Sequence, residues 1–455
     1  ASQLDALAIG PDALTVEKVR SYAQSEAYTA LAIDSTALAN DPAWAQWLPW
    51  YQVLHNIRGL WISPAYGGAE SLSSVPVMDA NRQPSDAMQT VSGMVTELKS
   101  GIGSLLLGAT RAPADIAIYD SQTSEYLAHL KGFEGSGLGE GQEAWSHLLE
   151  EMGYQYDFVK AANLKRATPY KLVVLPSVYA LSDAEISALQ EFCANGGALV
   201  ADVLPGQFDQ HGNERAHLPL KDLFVSVQEA DGKRAVLLGE PIVKVELDES
   251  QEKTTHDALC TFFGSLAIMP AIQNSGGQPF DGERAAFTYG TARIAALLRN
   301  PGGEPKRQKV AVAFDKHTTV YDVRTGKKLR NAKKVEVALG PGEVSILSAL
   351  PYEVSSIELT APEFVAPGQR LALHVQLKTK GDLPGTHLVQ ITLSRMDKLL
   401  EHYILELICK NGEASSYIPL ARNEVPGVYT LTAKDVLSGV LTQARVTVAD
   451  LAEVP

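Results

Sequence analysis

Residues 115–119 read Asp-Ile-Ala-Ile-Tyr, residues 156–159 read Tyr-Asp-Phe-Val, and residues 171–176 read Lys-Leu-Val-Val-Leu-Pro. A fourth apolar run, Gly-Ala-Leu-Val-Ala-Asp, occupies residues 197–202. Between these runs lie two segments with helical periodicity, one carrying Trp145 and Leu149 on a single face and one covering residues 182–194. Continuously apolar strands that alternate with amphipathic helices predict a parallel sheet covered on both faces.

The N-terminal segment shows the same alternation. Strands are predicted at residues 4–9, 28–33 and 59–64, with helices at residues 15–24 and 44–56 between them. After a loop rich in Gly, Ser and Pro, apolar residues at helical spacing predict one long helix over residues 85–108. This segment therefore reads as a βαβαβ unit that stops after three strands.

The C-terminal third of the chain changes to an all-β pattern. From residue 285 to 350, short strands are separated by turn sequences such as Asn-Pro-Gly-Gly at 300–303. From residue 351 onward, alternating strands are spaced as in a small β-sandwich. The fold class predicted from these patterns is α/β followed by all-β.

Composition restricts the classes of partner. The chain has 455 residues and a net charge of −14, which argues against nucleic acid or anionic membranes as partners. We find no run of 18 apolar residues, so no membrane span is predicted. The three cysteines, Cys193, Cys260 and Cys409, are far apart and are expected to be buried thiols.

The middle of the chain resembles a known family. The runs quoted above, together with Leu-Ser-Asp-Ala-Glu at 181–185 and Asn-Gly-Gly at 195–197, are similar to the trimerisation domain of glycoside hydrolase family 42 β-galactosidases. In that family this domain follows a catalytic (β/α)8 barrel and precedes a small β domain. Rossmann-like glutamine-amidotransferase domains share the same outline.

The resemblance implies four domains. Residues 1–110 would be the last strands and helices of a (β/α)8 barrel, and residues 111–285 a flavodoxin- or amidotransferase-like trimerisation domain. Residues 286–351 would be the small β domain, and residues 352–455 resemble an immunoglobulin-like β-sandwich. Three βα units cannot close an eight-stranded barrel. We therefore expect a second polypeptide or a precursor segment to supply the rest, unless the barrel is degenerate and serves assembly.

The resemblance also selects candidate site residues. If residues 28–33 are the seventh barrel strand, Asp34 occupies the place of the family's nucleophilic glutamate, and the acid/base residue has no counterpart in these residues. Asp34 is then a nucleophile or a sugar-binding carboxylate, or else an aspartate that caps the backbone before Ser35 and Thr36. Trp61, in the presumed eighth strand, is a sugar platform or a core residue, and Ser35 and Tyr66 are further substrate-binding candidates.

Other chemistry is not indicated by the sequence. The glycine-rich residues 132–141 have no following lysine and do not lead directly from a strand into a helix, so we do not expect a phosphate loop. The turn Pro-Ser-Val-Tyr at 176–179 lacks the cysteine of an amidotransferase. The histidines show no metal spacing, and His55, His129 and His147 are expected at the surface or at helix ends. No metal and no cofactor are predicted.

Two functions remain open at this point. The first is the C-terminal part of a β-galactosidase-like glycoside hydrolase that acts on a β-linked saccharide by double displacement. The alternative is a non-catalytic oligomeric scaffold or carbohydrate-interaction protein derived from that family. Both imply a homo-oligomer, expected to be a trimer, and the immunoglobulin-like module favours an extracytoplasmic location.

Overall fold

The computed structural model describes residues 6–22, 28–63, 77–79, 81–133, 139–164, 169–229, 232–242, 249–270, 272, 280–314, 318–329 and 334–449. Within these ranges the chain forms α/β units followed by antiparallel sheets, as the sequence predicts. The thiols of Cys193, Cys260 and Cys409 are all free, but only Cys409 is fully buried. The expectation of three buried thiols is therefore wrong for Cys193 and Cys260, which lie on partly exposed helix faces.

The first unit is a three-stranded parallel sheet with the order β1-β2-β3. Its elements are β1 (Ala6–Ile9), α1 (Ala13–Tyr22), β2 (Tyr28–Asp34), α2 (Ser35–Asn40), α3 (Pro42–Leu54) and β3 (Gly59–Ser63). Helix α1 begins two residues earlier than predicted, because the carboxylate of Asp12 accepts the backbone N–H of Thr15 and caps the helix. Leu31 and Ile33 of β2 are buried in the core that also contains Trp50 of α3.

The predicted long helix is three segments in the structure. Helix α4 (Asp86–Glu97) begins at the N-cap Ser85, a π-helical turn spans Leu98–Ile102, and helix α5 (Gly103–Gly108) completes it. Gly101 interrupts the α-helix with φ of +96°, a conformation that favours glycine. A Cβ at this position would also lie 2.6 Å from a methyl group of Val436.

The second unit is a six-stranded sheet with helices on both faces. Its elements in chain order, after the short strand β4 (Thr110–Arg111), are β5 (Ile116–Tyr119), α6 (Gln122–Lys131), α7 (Glu140–Met152), β6 (Tyr156–Val159), α8 (Ala161–Leu164), β7 (Leu172–Leu175), α9 (Asp183–Ala194), β8 (Ala198–Ala201), β9 (Val225–Ser226), β10 (Ala235–Leu237) and α10 (Glu249–Ser265). The strand order is β6-β5-β7-β8-β10-β9, and all of these pairs are parallel. Two separate apolar cores cover its two faces, one containing Trp145 and the other Leu189.

The third unit is antiparallel. Its strands are β11 (Gly282–Tyr289), β12 (Ala292–Arg299), β13 (Gln308–Ala313), β14 (Thr319–Asp322), β15 (Lys327–Leu329), β16 (Lys334–Leu339) and β17 (Val344–Leu350). Six strands form the sheet β15-β14-β17-β12-β11-β4, and β13 pairs with β16. Strand β11 crosses residue 285, the predicted domain boundary, and pairs with β4, so residues on both sides of the α/β unit share one sheet.

The last unit is a pair of facing β-sheets. Its strands are β18 (Glu353–Thr360), β19 (Phe364–Val365), β20 (Arg370–Lys380), β21 (His387–Arg395), β22 (Lys398–Leu399), β23 (Leu405–Cys409), β24 (Glu413–Pro419), β25 (Gly427–Asp435) and β26 (Leu441–Val448). One sheet has the order β18-β20-β24, and the other contains β19-β26-β25-β21-β22 with β23 beside β21. Residues of this unit, of the third unit and of the N-terminal sheet belong to one continuous apolar core.

Candidate functional site

Asp34 and Trp61 lie on the same face of the N-terminal sheet. In the parallel register Ala32 lies beside Trp61, and Asp34 lies beside Ser63 at the carboxyl ends of β2 and β3. Trp61 is 66% exposed within the described part of the chain, and both interpretations, sugar platform and core residue, stay predictions. The two predicted site residues are thus brought together at the edge of the sheet where ligands bind in parallel α/β folds.

Asp34 is both a helix cap and an exposed carboxylate. Its Oδ1 accepts the backbone N–H of Thr36 at 2.8 Å, which makes Asp34 the N-cap of α2. This hydrogen bond from Thr36 lowers the pKa of Asp34, so the carboxylate is ionised at neutral pH. Asp34 therefore caps helix α2, and its negative charge is still exposed on the uncovered face of the sheet.

The other two candidates do not join this face. Ser35 is the first residue of α2 and is buried. Burial separates it from the exposed face of the sheet. Tyr66 lies outside the described residues.

The face that carries Asp34 and Trp61 is largely uncovered by protein. Tyr28 is 48% exposed, and Ala8 and Ala32 are also exposed, whereas Leu31 and Ile33 on the opposite face are buried. Within the described residues β1 and β3 each pair only with β2, so both edges of the sheet are open. Parallel sheets are normally covered on both faces and rarely leave an edge strand in water.

A second group of charged side chains was not predicted from the sequence. Helix α1 contributes Glu17 and Arg20, helix α3 is followed by His55, and Arg111 and Glu283 belong to the neighbouring strands β4 and β11. These side chains form an ion-pair network where the N-terminal sheet, the α/β unit and the antiparallel unit meet. We refer to these five residues, with Asp157 of β6, as the junction network.

Short contacts connect the junction network. His55 Nε2 lies 2.7 Å from Glu17 Oε1 and 3.5 Å from Glu283 Oε2, and Arg111 Nη2 lies 3.3 Å from Glu283 Oε1. Arg20 contacts the other oxygen of Glu17 at 2.6 Å and Asp157 Oδ1 at 2.8 Å. Arg20 also donates to the carbonyl oxygen of Tyr156 at 2.5 Å.

The hydrogen bonds of His55 indicate an imidazolium ion. Its Nδ1 faces the carbonyl oxygen of Tyr51 at 2.7 Å, which can only accept, and its Nε2 faces carboxylate oxygens. Burial lowers the pKa of His55, but the carboxylates of Glu283 and Glu17 outweigh that effect and raise it. Three cations, Arg20, Arg111 and protonated His55, then balance the carboxylates of Glu17, Asp157 and Glu283.

The same atoms resemble a metal-binding set. One ligand atom each from Glu17, His55 and Glu283 lies within 4.8 Å of the others, the only such group in the part of the chain that the structure describes. However, Arg20 already pairs with Glu17, and Arg111 already pairs with Glu283. With His55 protonated, the positive and negative charges of the junction network are equal. The arrangement is better explained as a neutral ion-pair network than as a cation site.

Glu150 of α7 lies at the border of the junction network and titrates differently. Burial, together with the negative charges of Glu17 and Glu283, raises its pKa to about 8. Its Oε1 accepts the hydroxyl of Tyr156 at 2.7 Å. At neutral pH Glu150 is therefore largely protonated beside ionised partners.

Local sequence patterns contain little signal for the junction network. Glu17 and Arg20 are three residues apart on one helix, which is ordinary for a solvent-exposed pair. Glu17 pairs with His55, which follows helix α3, and Arg20 pairs with Asp157, 137 residues away along the chain. The expectation that His55 is a surface or capping residue is half right: it caps α3, but it is buried.

Comparisons with known proteins agree with this architecture. The family model described as "Beta-galactosidase trimerisation domain" matches residues 114–235. The chain is 34% identical over 87 residues to β-galactosidase BgaB of a Geobacillus strain, a match covering 18% of this chain and 12% of that protein. Residues 114–235 are a family 42 trimerisation domain.

Solved structures extend the likeness in fold beyond that domain. A family 42 β-galactosidase from G. stearothermophilus superposes with a TM-score of 0.56 at 15% identity, covering 75% of this chain and 59% of that chain. A β-galactosidase from Bacillus circulans sp. alkalophilus gives a TM-score of 0.52 at 13% identity, covering 68% and 51%. The chain thus has the fold of the C-terminal portion of these glycoside hydrolases and spans less than two thirds of their length.

Among the described residues, no helix is both long enough and apolar enough to cross a membrane.

We predict that Glu150→Gln makes the chain more stable at alkaline pH. Folding raises the pKa of Glu150 from 4.5 to about 8, so between these pH values the folded state keeps a proton that the unfolded state has already released. The free energy of unfolding therefore falls as pH rises through that window. Glutamine keeps the acceptor for Tyr156 without the charge. Thermal melts at pH 5 and pH 8 should show a higher Tm for the variant at pH 8 and a small difference at pH 5. An equal shift at both pH values would contradict this assignment, and Glu191→Gln, at an exposed position of α9, is the control.

We predict that Arg20→Met destabilises the chain by about 3–5 kcal/mol, because it leaves the carboxylates of Glu17 and Asp157 buried or half-buried without their cation. Urea unfolding at pH 7 measures the change. Arg422→Met, at an exposed position of the C-terminal sandwich, is the matched control and should have little effect. A loss below 1 kcal/mol for Arg20→Met would mean that the network is solvated and not structural.

Proposed function

We propose that this chain is the C-terminal part of a β-galactosidase-like glycoside hydrolase whose catalytic barrel is completed by strands outside these residues. The observation that carries the proposal is the open, partly apolar face of the N-terminal sheet, with Asp34 and Trp61 at its carboxyl end. Alanines at positions 8 and 32 leave room on that face for side chains from further strands. A second polypeptide or another segment of a longer precursor would supply them.

The chemistry proposed is retaining hydrolysis of a β-linked saccharide. Asp34 is the candidate nucleophile, since an ionised carboxylate attacks the anomeric carbon and forms a covalent glycosyl intermediate. The acid/base carboxyl would come from the completing strands, about 5–5.5 Å from the nucleophile. Because aspartate is one methylene shorter than the family's glutamate, an unshifted backbone would cost about 100-fold in rate.

Trp61 suits the role of a sugar platform. Its ring is the most exposed among the described tryptophans. Trp61 lies beside Ala32, and the next pair on the same face of the sheet is Asp34 with Ser63. Aromatic rings combine a large apolar surface with a defined orientation, which supports stacking against the apolar side of a sugar ring. In this arrangement Trp61 positions the sugar and Asp34 attacks it.

We predict that Asp34→Asn abolishes hydrolysis of an aryl β-galactoside by the native, fully assembled protein, lowering kcat on the order of 1,000-fold or more. Asparagine can still accept the N–H of Thr36, so the N-cap and the Tm should be preserved. The matched control is Asp41→Asn at the N-cap of α3, where the same change removes no site carboxylate.

The test separates the two functional hypotheses. Equal activity of Asp34→Asn and the wild type would remove Asp34 from the mechanism. If the native material, purified with everything that is bound to it, has no glycosidase activity, the non-catalytic scaffold is the correct reading.

We also propose that the chain assembles as a homotrimer through the α/β unit, on the strength of the trimerisation-domain match at residues 114–235. Sedimentation equilibrium at micromolar concentration should give three copies of this chain per particle. A stable monomer under those conditions would contradict the assembly, whether or not the protein is catalytic.

A further inference from the structure

A cavity in the α/β unit lies where two neighbouring parallel strands end. Ser121 and Ser124 follow β5, Pro176 and Ser177 follow β7, and Gly141 and Gln142 belong to the first turn of α7, and all six line it. The enclosed part holds about 20 Å³, room for one small group, and it opens to a wider mouth. None of its lining residues belongs to the sheet that carries Asp34 and Trp61.

The strand order explains why a crevice forms there. From β5 the chain passes to β6 on one side of the sheet and then returns to β7 on the other side. The connections that leave the carboxyl ends of β5 and β7 therefore diverge. In doubly wound α/β sheets, this reversal point is where ligands bind.

The turn after β7 is held in a sparsely populated conformation. Ser177 has φ of +46°, a left-handed conformation that is uncommon for a residue with a side chain. The buried carboxylate of Asp202 accepts its backbone N–H at 2.7 Å and that of Val203 at 2.8 Å. Such conformations persist where the surroundings enforce them and are frequent at functional sites.

A buried polar atom supplies the second observation. Gln142 is 6% exposed, and its Nε2 donates to Asp120 Oδ1 at 3.2 Å, which orients the amide. Its Oε1 is buried and has no hydrogen-bond partner among the described residues. Buried polar atoms are usually paired, so the unpaired Oε1 of Gln142 points to a ligand with a hydrogen-bond donor.

The charges around the cavity select the class of ligand. The carboxylate of Glu125 lines it, and that of Asp202 lies directly behind Ser177, which disfavours an anion. The first turn of α7, capped by Gly139 without a side-chain hydrogen bond, directs backbone N–H groups and a positive dipole end towards it, which disfavours a cation. A neutral ligand whose hydroxyls both donate and accept satisfies Gln142, Ser177 and the helix together.

We propose that this cavity binds a neutral monosaccharide, with one hydroxyl-bearing group inserted between Gln142 and Ser177. The site lies in the trimerisation domain and does not depend on hydrolysis at Asp34.

Gly141→Ala tests the site directly. A Cβ at position 141 would lie 3.0 Å from Ser177 Oγ and 3.7 Å from Pro176 Cβ, so the methyl group occupies the enclosed part. Alanine favours the helix more than glycine does, so lost binding would not reflect unfolding of α7. Gly93→Ala, in helix α4 with no atom within 4 Å of the added methyl group, is the matched control. Isothermal titration calorimetry with D-galactose and D-glucose on the full chain measures the effect.

We expect at least one of the two sugars to bind the wild type and Gly93→Ala equally, and Gly141→Ala at least tenfold more weakly. Ser177→Gly, which keeps the positive φ and removes the hydroxyl, should weaken binding about tenfold, the effect of one lost hydrogen bond. Absence of sugar binding to the wild type, or binding that Gly141→Ala leaves unchanged, overturns the proposal. Binding of inorganic phosphate in competition with the sugars would also overturn it.

Discussion

A parallel β-sheet needs apolar cover on both faces and hydrogen-bonding partners along its edges, and this constraint governs how the chain can be used. The six-stranded sheet meets the first requirement, since helices cover it on both sides with separate cores. The three-stranded sheet meets it on one face only: Leu31 and Ile33 are buried, while Tyr28 and Trp61 on the opposite face are exposed. The difference is a physical argument for further strands against β1 and β3. It does not depend on the likeness to any relative.

The junction network explains how this incomplete sheet is held in a defined position. Arg20 of α1 reaches Asp157 and the Tyr156 carbonyl of the α/β unit, and His55 after α3 reaches Glu283 of the antiparallel unit. Ion pairs of this kind contribute little net stability, because desolvating the charges offsets their attraction. They do penalise any other arrangement, since displacing one partner leaves a buried charge unpaired. Through helices α1 and α3, the network therefore orients the open face and the Asp34 carboxylate relative to the trimerisation domain.

Much of the secondary structure was predictable, because it depends on local patterns. The apolar runs at 116–119 and 172–175 and the cap at Ser182 identify strands and a helix directly. The position of Asp34 and Trp61 on neighbouring parallel strands agrees with the prediction of successive strands at 28–33 and 59–64. By contrast, the π-helical turn at Gly101 packs against the distant residue Val436, and the pairing of Arg111 with Phe287 also joins residues far apart along the chain. Glu17 and His55 look like ordinary helix residues until the fold brings Glu283 beside them.

The cavity at Ser177 and the candidate catalytic face both lie at the carboxyl ends of parallel strands. In both sheets the carboxyl ends of parallel strands present the polar side chains, because the connections leave from that edge. The two sites differ in their walls. Asp34 and Trp61 lie on an exposed face, which needs another partner to enclose a substrate. Gln142 of α7 and Ser177, whose backbone N–H is bound by Asp202, instead line a cavity that is already partly enclosed. A ligand in the enclosed cavity would contact only the α/β unit. Its binding could therefore stabilise the trimerisation domain without requiring the barrel to be complete.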